Sequence, residues 1–224
     1  MKLSRLENGQ PEIFYSLQGE GPTLGKPSVF VRLAQCNLKC SYCDSKHTWD
    51  ISQAIELDIK EVVKEIKKFN CNNLVITGGE PLLQIKEVWE LMYDLPGYLF
   101  EIETNGTIIP SFSNSQIRYN VSPKLENSYN QKENREKEEV YQWHINNENS
   151  IFKFVVNKKE DLQEVLELIE KYKIPRNKIY LMAEGIDEQI LKEKEQWLAQ
   201  ICLDYQLNFT TRLHIKLWKN QRGK

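Results

Sequence analysis

Short apolar runs rich in β-branched and aromatic residues alternate with stretches whose apolar residues recur at helical spacing. No other feature constrains the fold as much. The runs are Ser28–Leu33, Asn73–Thr77, Tyr98–Glu103, Ile117–Val121, Ile151–Val156 and Lys178–Ala183. Several have nearly continuous apolar cores, such as Val29-Phe30-Val31 and Leu74-Val75-Ile76, which is the pattern of parallel strands covered by helices. Between the runs, Ile59, Val62, Val63, Ile66 and Phe69 form one helical stripe behind Asp58 as N-cap. Leu162, Val165, Leu166 and Ile169 form a second, which stops near Pro175. Ile190, Leu191, Trp197, Leu198, Ile201 and Tyr205 form a third after Asp187. Alternation of this kind implies an α/β fold with right-handed crossovers. About six units fall short of the eight in a closed barrel, so the expected architecture is an open, partial (β/α)6 TIM-like barrel. Functional groups then belong at the carboxyl ends of the strands.

The 224 residues suffice for one domain, expected to span 1–224, with a polar surface insertion at about 125–150 where Lys132–Glu139 is almost wholly charged. A net charge of −2 gives no general electrostatic attraction to nucleic acid or to an anionic membrane. No apolar run approaches the roughly 20 residues that a membrane helix requires, and the start of the chain lacks the apolar core of a signal peptide. There are five cysteines, an odd count, and Cys36, Cys40 and Cys43 fall in one short loop. A disulfide framework is therefore not expected, and a reducing cytoplasm is. Cys71 and Cys202 stand alone and read as packing residues.

The segment Cys36-Asn37-Leu38-Lys39-Cys40-Ser41-Tyr42-Cys43 follows directly on the first run. Three thiols are one too few for a closed structural zinc site or an all-cysteine iron–sulfur cluster. On a four-iron cluster they leave one iron open to a small molecule. His47 keeps a second reading alive, a Cys3His zinc module without catalysis. Thr77-Gly78-Gly79-Glu80-Pro81 follows the second run, where two glycines let the backbone approach a ligand and Pro81 suits the start of a helix. Phe14–Gly21 sets three polar side chains beside two glycines, a loop suited to reading the edge of a polar ring. Arg32 lies inside an apolar strand and needs an anionic partner, to which a guanidinium is well matched.

The cysteine spacing and the Gly-Gly-Glu-Pro turn together resemble the radical S-adenosylmethionine (SAM) superfamily. That resemblance implies a partial barrel of the radical SAM type and a 4Fe–4S cluster on Cys36, Cys40 and Cys43 whose open iron holds SAM. Reductive cleavage of SAM would then yield a deoxyadenosyl radical, so that no classical acid or base residue carries the chemistry. Leu17-Gln18-Gly19-Glu20-Gly21, Arg32, Cys43-Asp44-Ser45, Glu103-Thr104-Asn105-Gly106 and Ser122-Pro123-Lys124 add a narrower resemblance, to the 7-carboxy-7-deazaguanine synthase family of queuosine biosynthesis. Family patterns reappear at Leu181–Gly185 and Arg212–Trp218. The resemblance implies a lyase that converts 6-carboxy-5,6,7,8-tetrahydropterin to 7-carboxy-7-deazaguanine and releases ammonia. Leu17, Gln18, Gly19, Glu20, Arg32 and Thr77 would bind this pterin, with Arg32 on its carboxylate. Tyr42, Cys43, Asp44, Gly79, Glu80, Ser122, Pro123 and Lys124 would bind SAM, and Ser45 would help hold Mg2+. An external, flavodoxin-like electron donor and a homodimer are also implied. The alternative within the superfamily is a different radical SAM enzyme, such as a glycyl-radical activase.

Overall fold

The computed structural model describes residues 1–224. Ten strands form one sheet: β1 (Lys2–Leu3), β2 (Ile13–Leu17), β3 (Pro27–Leu33), β4 (Ile55–Glu56), β5 (Asn73–Gly78), β6 (Leu99–Thr104), β7 (Ile117–Val121), β8 (Ser150–Val156), β9 (Ile179–Ala183) and β10 (Asn208–Thr210). From β3 through β5, β6, β7, β8 and β9 to β10 every neighbouring pair is parallel. The sheet does not close, because β10 and β3 lie at opposite ends of this parallel series. All six expected strands form, and β10 adds a seventh of the same direction. The free side of β3 is covered by β1 and β2, both antiparallel, and β4 pairs in turn with β1.

The crossovers carry α1 (Ile59–Ile66), α2 (Ile85–Tyr93), α3 (Lys132–Arg135), α4 (Glu138–Asn146), α5 (Asp161–Tyr172) and α6 (Glu188–Tyr205), and α7 (Leu213–Trp218) follows β10. Local chemistry sets their starts. Asp58 accepts from the Glu61 amide at 2.8 Å while Glu61 accepts from the Asp58 amide at 2.9 Å, a reciprocal capping box. Asp187 accepts from the amides of Gln189 and Ile190 to open α6. Val62 and Ile66 of α1, Val165 and Ile169 of α5 and Leu198 of α6 are buried in a core shared with Val31, Leu74, Ile76, Ile102 and Phe154 of the strands. No helix is long and apolar enough to cross a membrane.

The polar stretch 125–150, expected as a surface insertion, is the connection from β7 to β8 and is only partly superficial. Most of its charged side chains face water, but Arg135 is buried against Glu164 at 2.6 Å, and Val140, Tyr141 and His144 of α4 are buried, with Tyr141 stacked on Tyr172 at a ring separation of 4.3 Å. Its first turn also braces the loop that carries the cysteines. The Ser41 amide donates to the Ser128 carbonyl at 3.1 Å, and the Lys39 amide donates to Asn130 Oδ1 at 3.0 Å.

Candidate active site

A cavity of about 280 Å3 opens at the carboxyl ends of the parallel strands. Arg32, Thr77, Glu103, Ser122, Lys153 and Met182 reach it from β3, β5, β6, β7, β8 and β9 or from the turn after them. Cys36, Cys40 and Cys43 all line it, and all three thiols are free. Two amide side chains point at their sulfurs: Asn130 Nδ2 lies 3.3 Å from Cys40 Sγ and Asn105 Nδ2 3.9 Å from Cys36 Sγ. Burial pushes the Cys36 thiol up to about 11 and raises Cys40 as well, so a metal centre binding them as thiolates must displace their protons.

The donor set, three thiols on one cavity wall, has the chemistry of an iron–sulfur ligand set. No three His, Cys, Asp or Glu side chains are spaced to hold one metal ion. His47, the fourth ligand of the zinc reading, instead lies 3.2 Å from Glu12 Oε2 through its Nε2. One further feature fits a bound small molecule, and another sets the shape of the wall. The Tyr42 hydroxyl on the cavity wall is buried without a hydrogen-bond partner in the protein. At Gly79 a Cβ would sit 2.0 Å from the Gln35 carbonyl oxygen, so only glycine lets the end of β5 lie against the start of the cysteine loop. The Gly79 and Glu80 amides use this closeness, donating to Leu33 at 3.0 Å and to Gln35 at 2.8 Å.

Of the residues expected to bind the cofactor, Tyr42, Cys43, Asp44, Gly79, Ser122 and Lys124 line the cavity, as does Ser45. Glu80 and Pro123 do not. Glu80 is wholly buried, and its carboxylate accepts from the Leu82 amide at 3.0 Å, the Thr104 hydroxyl at 2.9 Å and the Asn105 amide at 2.6 Å. It therefore ties the β5 turn to the end of β6. Pro123 is buried beneath this wall, near Gly106.

Leu17, Gln18, Gly19, Glu20, Arg32 and Thr77 also line the cavity. The Gln18 amide side chain, expected to contact the substrate, is hydrogen-bonded within the protein. Its Nε2 donates to Glu101 and, at 3.2 Å, to Glu103, while its Oε1 accepts from the Glu20 amide at 3.3 Å. Gln18 thus fixes the loop from below, and its own backbone is tied to Lys26 and Gly25 at 2.8 Å each. Arg32 has its anion inside the protein: Nε donates to Glu12 at 3.0 Å, and the two terminal nitrogens make no hydrogen bond within the chain. Burial raises the Glu12 carboxyl, but His47, Arg32 and Arg222 outweigh it and hold the group down at about 2.

Sequence reasoning did not single out Lys153, Arg212, His214 or Glu12 for the site. Lys153 is buried between Glu20 at 2.6 Å and Glu103 at 2.8 Å. Burial opposes its charge, yet the two carboxylates hold its pKa above the ordinary lysine range. A lysine inside the apolar run Ile151–Val156 carries the same signal that marked Arg32. His214 packs against Gly19, where a Cβ would come 2.2 Å from its Nδ1. Arg212 and His214 lie in the stretch Arg212–Trp218, too far along the chain for spacing to connect them with the loop at Leu17–Glu20.

The family model described as the radical SAM superfamily matches residues 31–197. A 7-carboxy-7-deazaguanine synthase from Pyrobaculum aerophilum is 38% identical over 95% of this chain and 96% of its own length. One from Hyperthermus butylicus is 35% identical over 91% of this chain and 90% of its own. The crystal structure of QueE from Escherichia coli superposes with a TM-score of 0.71, covering 95% of this chain and 94% of that one at 21% identity, a likeness of fold. These relatives favour the deazaguanine synthase reading over the glycyl-radical activase. The chain belongs to the radical SAM superfamily and, within it, to the 7-carboxy-7-deazaguanine synthase family.

Proposed function

We propose that this chain converts 6-carboxy-5,6,7,8-tetrahydropterin to 7-carboxy-7-deazaguanine with release of ammonia, as a radical SAM lyase. The observation that carries the reading is one cavity shared by the three thiols, the Gly78-Gly79 turn, the Leu17–Glu20 loop and Arg32. Cys36, Cys40 and Cys43 would hold a 4Fe–4S cluster. Tyr42, Asp44, Gly79, Ser122 and Lys124 would surround SAM, while Glu80 and Pro123 would act from behind that wall. When bound, the cluster and SAM supply a carbon radical able to take a hydrogen atom from the substrate.

The protein's own part is to bind, orient and shield. The free terminal nitrogens of Arg32 match a carboxylate geometrically, and Glu12 keeps that guanidinium in place from its Nε side. The rings of Phe14 and Phe30, stacked 5.0 Å apart, line the same cavity and offer an apolar surface to a flat bicyclic ligand. Backbone groups of Leu17 and Gly19, the Glu20 carboxylate and the Thr77 hydroxyl supply polar contacts for the pterin edge. Ser45 would give one oxygen to Mg2+, which would help to hold and polarise the substrate carboxylate. The protein would work in the cytoplasm as a single-domain homodimer, reduced by a flavodoxin-like donor.

Anaerobically reconstituted protein, incubated with SAM, a reductant and the carboxypterin, is expected to carry iron and sulfide and to form the deazaguanine product. Iron-loaded protein that cleaves SAM but yields no deazaguanine overturns the substrate assignment. Stoichiometric zinc without iron overturns the cluster.

A further inference from the structure

Three loops from distant parts of the chain meet on Arg212. This residue sits just before α7 and is 7% exposed. Each guanidinium nitrogen has a different partner: Nε donates to Glu20 Oε1 at 3.3 Å, Nη1 to the Gly185 carbonyl at 2.7 Å, and Nη2 to Asp44 Oδ2. Glu20 belongs to the loop after β2, Asp44 directly follows Cys43, and Gly185 follows β9. Nε and Nη2 form one edge of the planar fork, the edge that grips a single carboxylate when both donors are available. Here that edge is divided between two carboxylates. Lys153 holds the other oxygen of Glu20 at 2.6 Å, which limits how far Glu20 can turn. Asp44 has no ion-pair partner except Arg212, and its side chain is 33% exposed, so its position depends on that contact.

We infer that Arg212 is a positioning residue that couples the two halves of the site, so that a pterin at Glu20 and SAM beside Asp44 strengthen each other's binding. The inference rests on the pterin reading above. The N–H groups of an aminopyrimidine ring that reach Glu20 compete with Nε for Oε1. The guanidinium edge released there closes with both donors on Asp44 and fixes the residue next to the third cysteine. In the opposite direction, a cofactor that orders Cys43–Ser45 draws Arg212 toward Asp44 and leaves Glu20 Oε1 for the substrate. Such a coupling between binding free energies is reciprocal by necessity. A lysine cannot replace the fork, because one ammonium on a flexible stem does not fix two carboxylates at set angles.

Calorimetry on cluster-loaded protein, with SAM present but no reductant, tests this. In the native protein SAM is expected to tighten carboxypterin binding about tenfold, and the factor is expected to fall to about one in Arg212→Lys and in Asp44→Asn. Hydrogen exchange gives an independent readout. Carboxypterin alone should slow exchange at the Asp44–Lys46 amides of native protein and leave them unchanged in Arg212→Lys. A native factor near one overturns the inference. So does a factor that persists in both variants while the two affinities fall together, since Arg212 would then be only a strut. Failure of carboxypterin to bind native protein at all is a different result, and it overturns the substrate reading together with the coupling.

Discussion

Charged residues placed inside apolar strands give this site its character, and each has its counter-charge at a set distance. Arg32 and Lys153 show two versions of the device. Lys153 is enclosed by Glu20 and Glu103, so it organises protein groups. Arg32 is held only through Nε and keeps its terminal nitrogens for something else. That difference predicts separable outcomes. In Arg32→Ala, Glu12 still has His47 at 3.2 Å and Arg222 at 2.8 Å, so the fold should survive. Loss of one partner from a desolvated charge pair costs at least ~2 kcal/mol, so the carboxypterin dissociation constant should rise about 30-fold or more with SAM affinity held. Equal losses in both affinities, measured by titration calorimetry, would contradict the role given to Arg32. Arg32 was legible in the sequence because a guanidinium amid Val29, Phe30, Val31 and Leu33 needs an explanation. Its partner Glu12 was not, because Glu12 lies before β2 in a polar stretch where a carboxylate is unremarked.

At the scale of elements, the contact between the ends of β3 and β5 decides where the cysteine loop begins. These strands pair in parallel through Leu33 and Gly78, and the next residues stay in register because Gly79 has no side chain. In Gly79→Ala the new Cβ would meet backbone atoms, the Gln35 carbonyl oxygen at 2.0 Å and the Cys36 amide nitrogen at 2.9 Å, neither of which can swing aside. The two strand ends must part, at about 3 kcal/mol, the upper end of ordinary overpacking penalties. Cys36 should move with them. The variant should therefore melt lower and, after anaerobic reconstitution, bind less iron than native protein; full iron content with native melting would refute the account. The parallel strands and the main helices were readable because each carries its own burial pattern, apolar runs for the covered strands and period-3.6 stripes for α1, α5 and α6. β1, β4 and β10 are two or three residues long and form only because a neighbour offers free backbone groups, which no local pattern records. The connection 125–150 misled for a related reason. Its composition is polar on average, and the few side chains that anchor it, Val140, Tyr141 and His144, are spaced among charges.

For the whole molecule, buried histidine contributes to how stability responds to acid. His144 is wholly buried, its Nδ1 is 2.9 Å from the Ser150 hydroxyl, and its Nε2 has no partner. Burial, helped by the nearby Lys178 charge, lowers its pKa from 6.5 to about 3. The folded protein therefore keeps this ring neutral across a range in which the unfolded chain protonates it. Its stabilising contribution is complete above pH 6.5 and is lost as pH falls from 6.5 toward 3, because the unfolded state then binds the extra proton. His214, also lowered by burial, acts in the same direction, whereas Glu80 and Glu101, raised by burial, act in the opposite one. Glu12 enters only below pH 4.5, where protonation of the unfolded chain begins to draw against its folded value of about 2. A difference measurement isolates His144 from the rest. His144→Phe removes the titrating ring and fills the aromatic cluster formed by Tyr119, Trp143 and Phe152. At pH 8 the variant should be less stable than native protein, since the Ser150 hydroxyl loses its partner. As pH falls from 6 to 4.5 the gap should narrow by about 1.4 kcal/mol per pH unit, the slope for one proton bound only by the unfolded chain. Urea titrations of both proteins across that range supply the comparison, and two parallel stability curves would mean that His144 is protonated in the folded state.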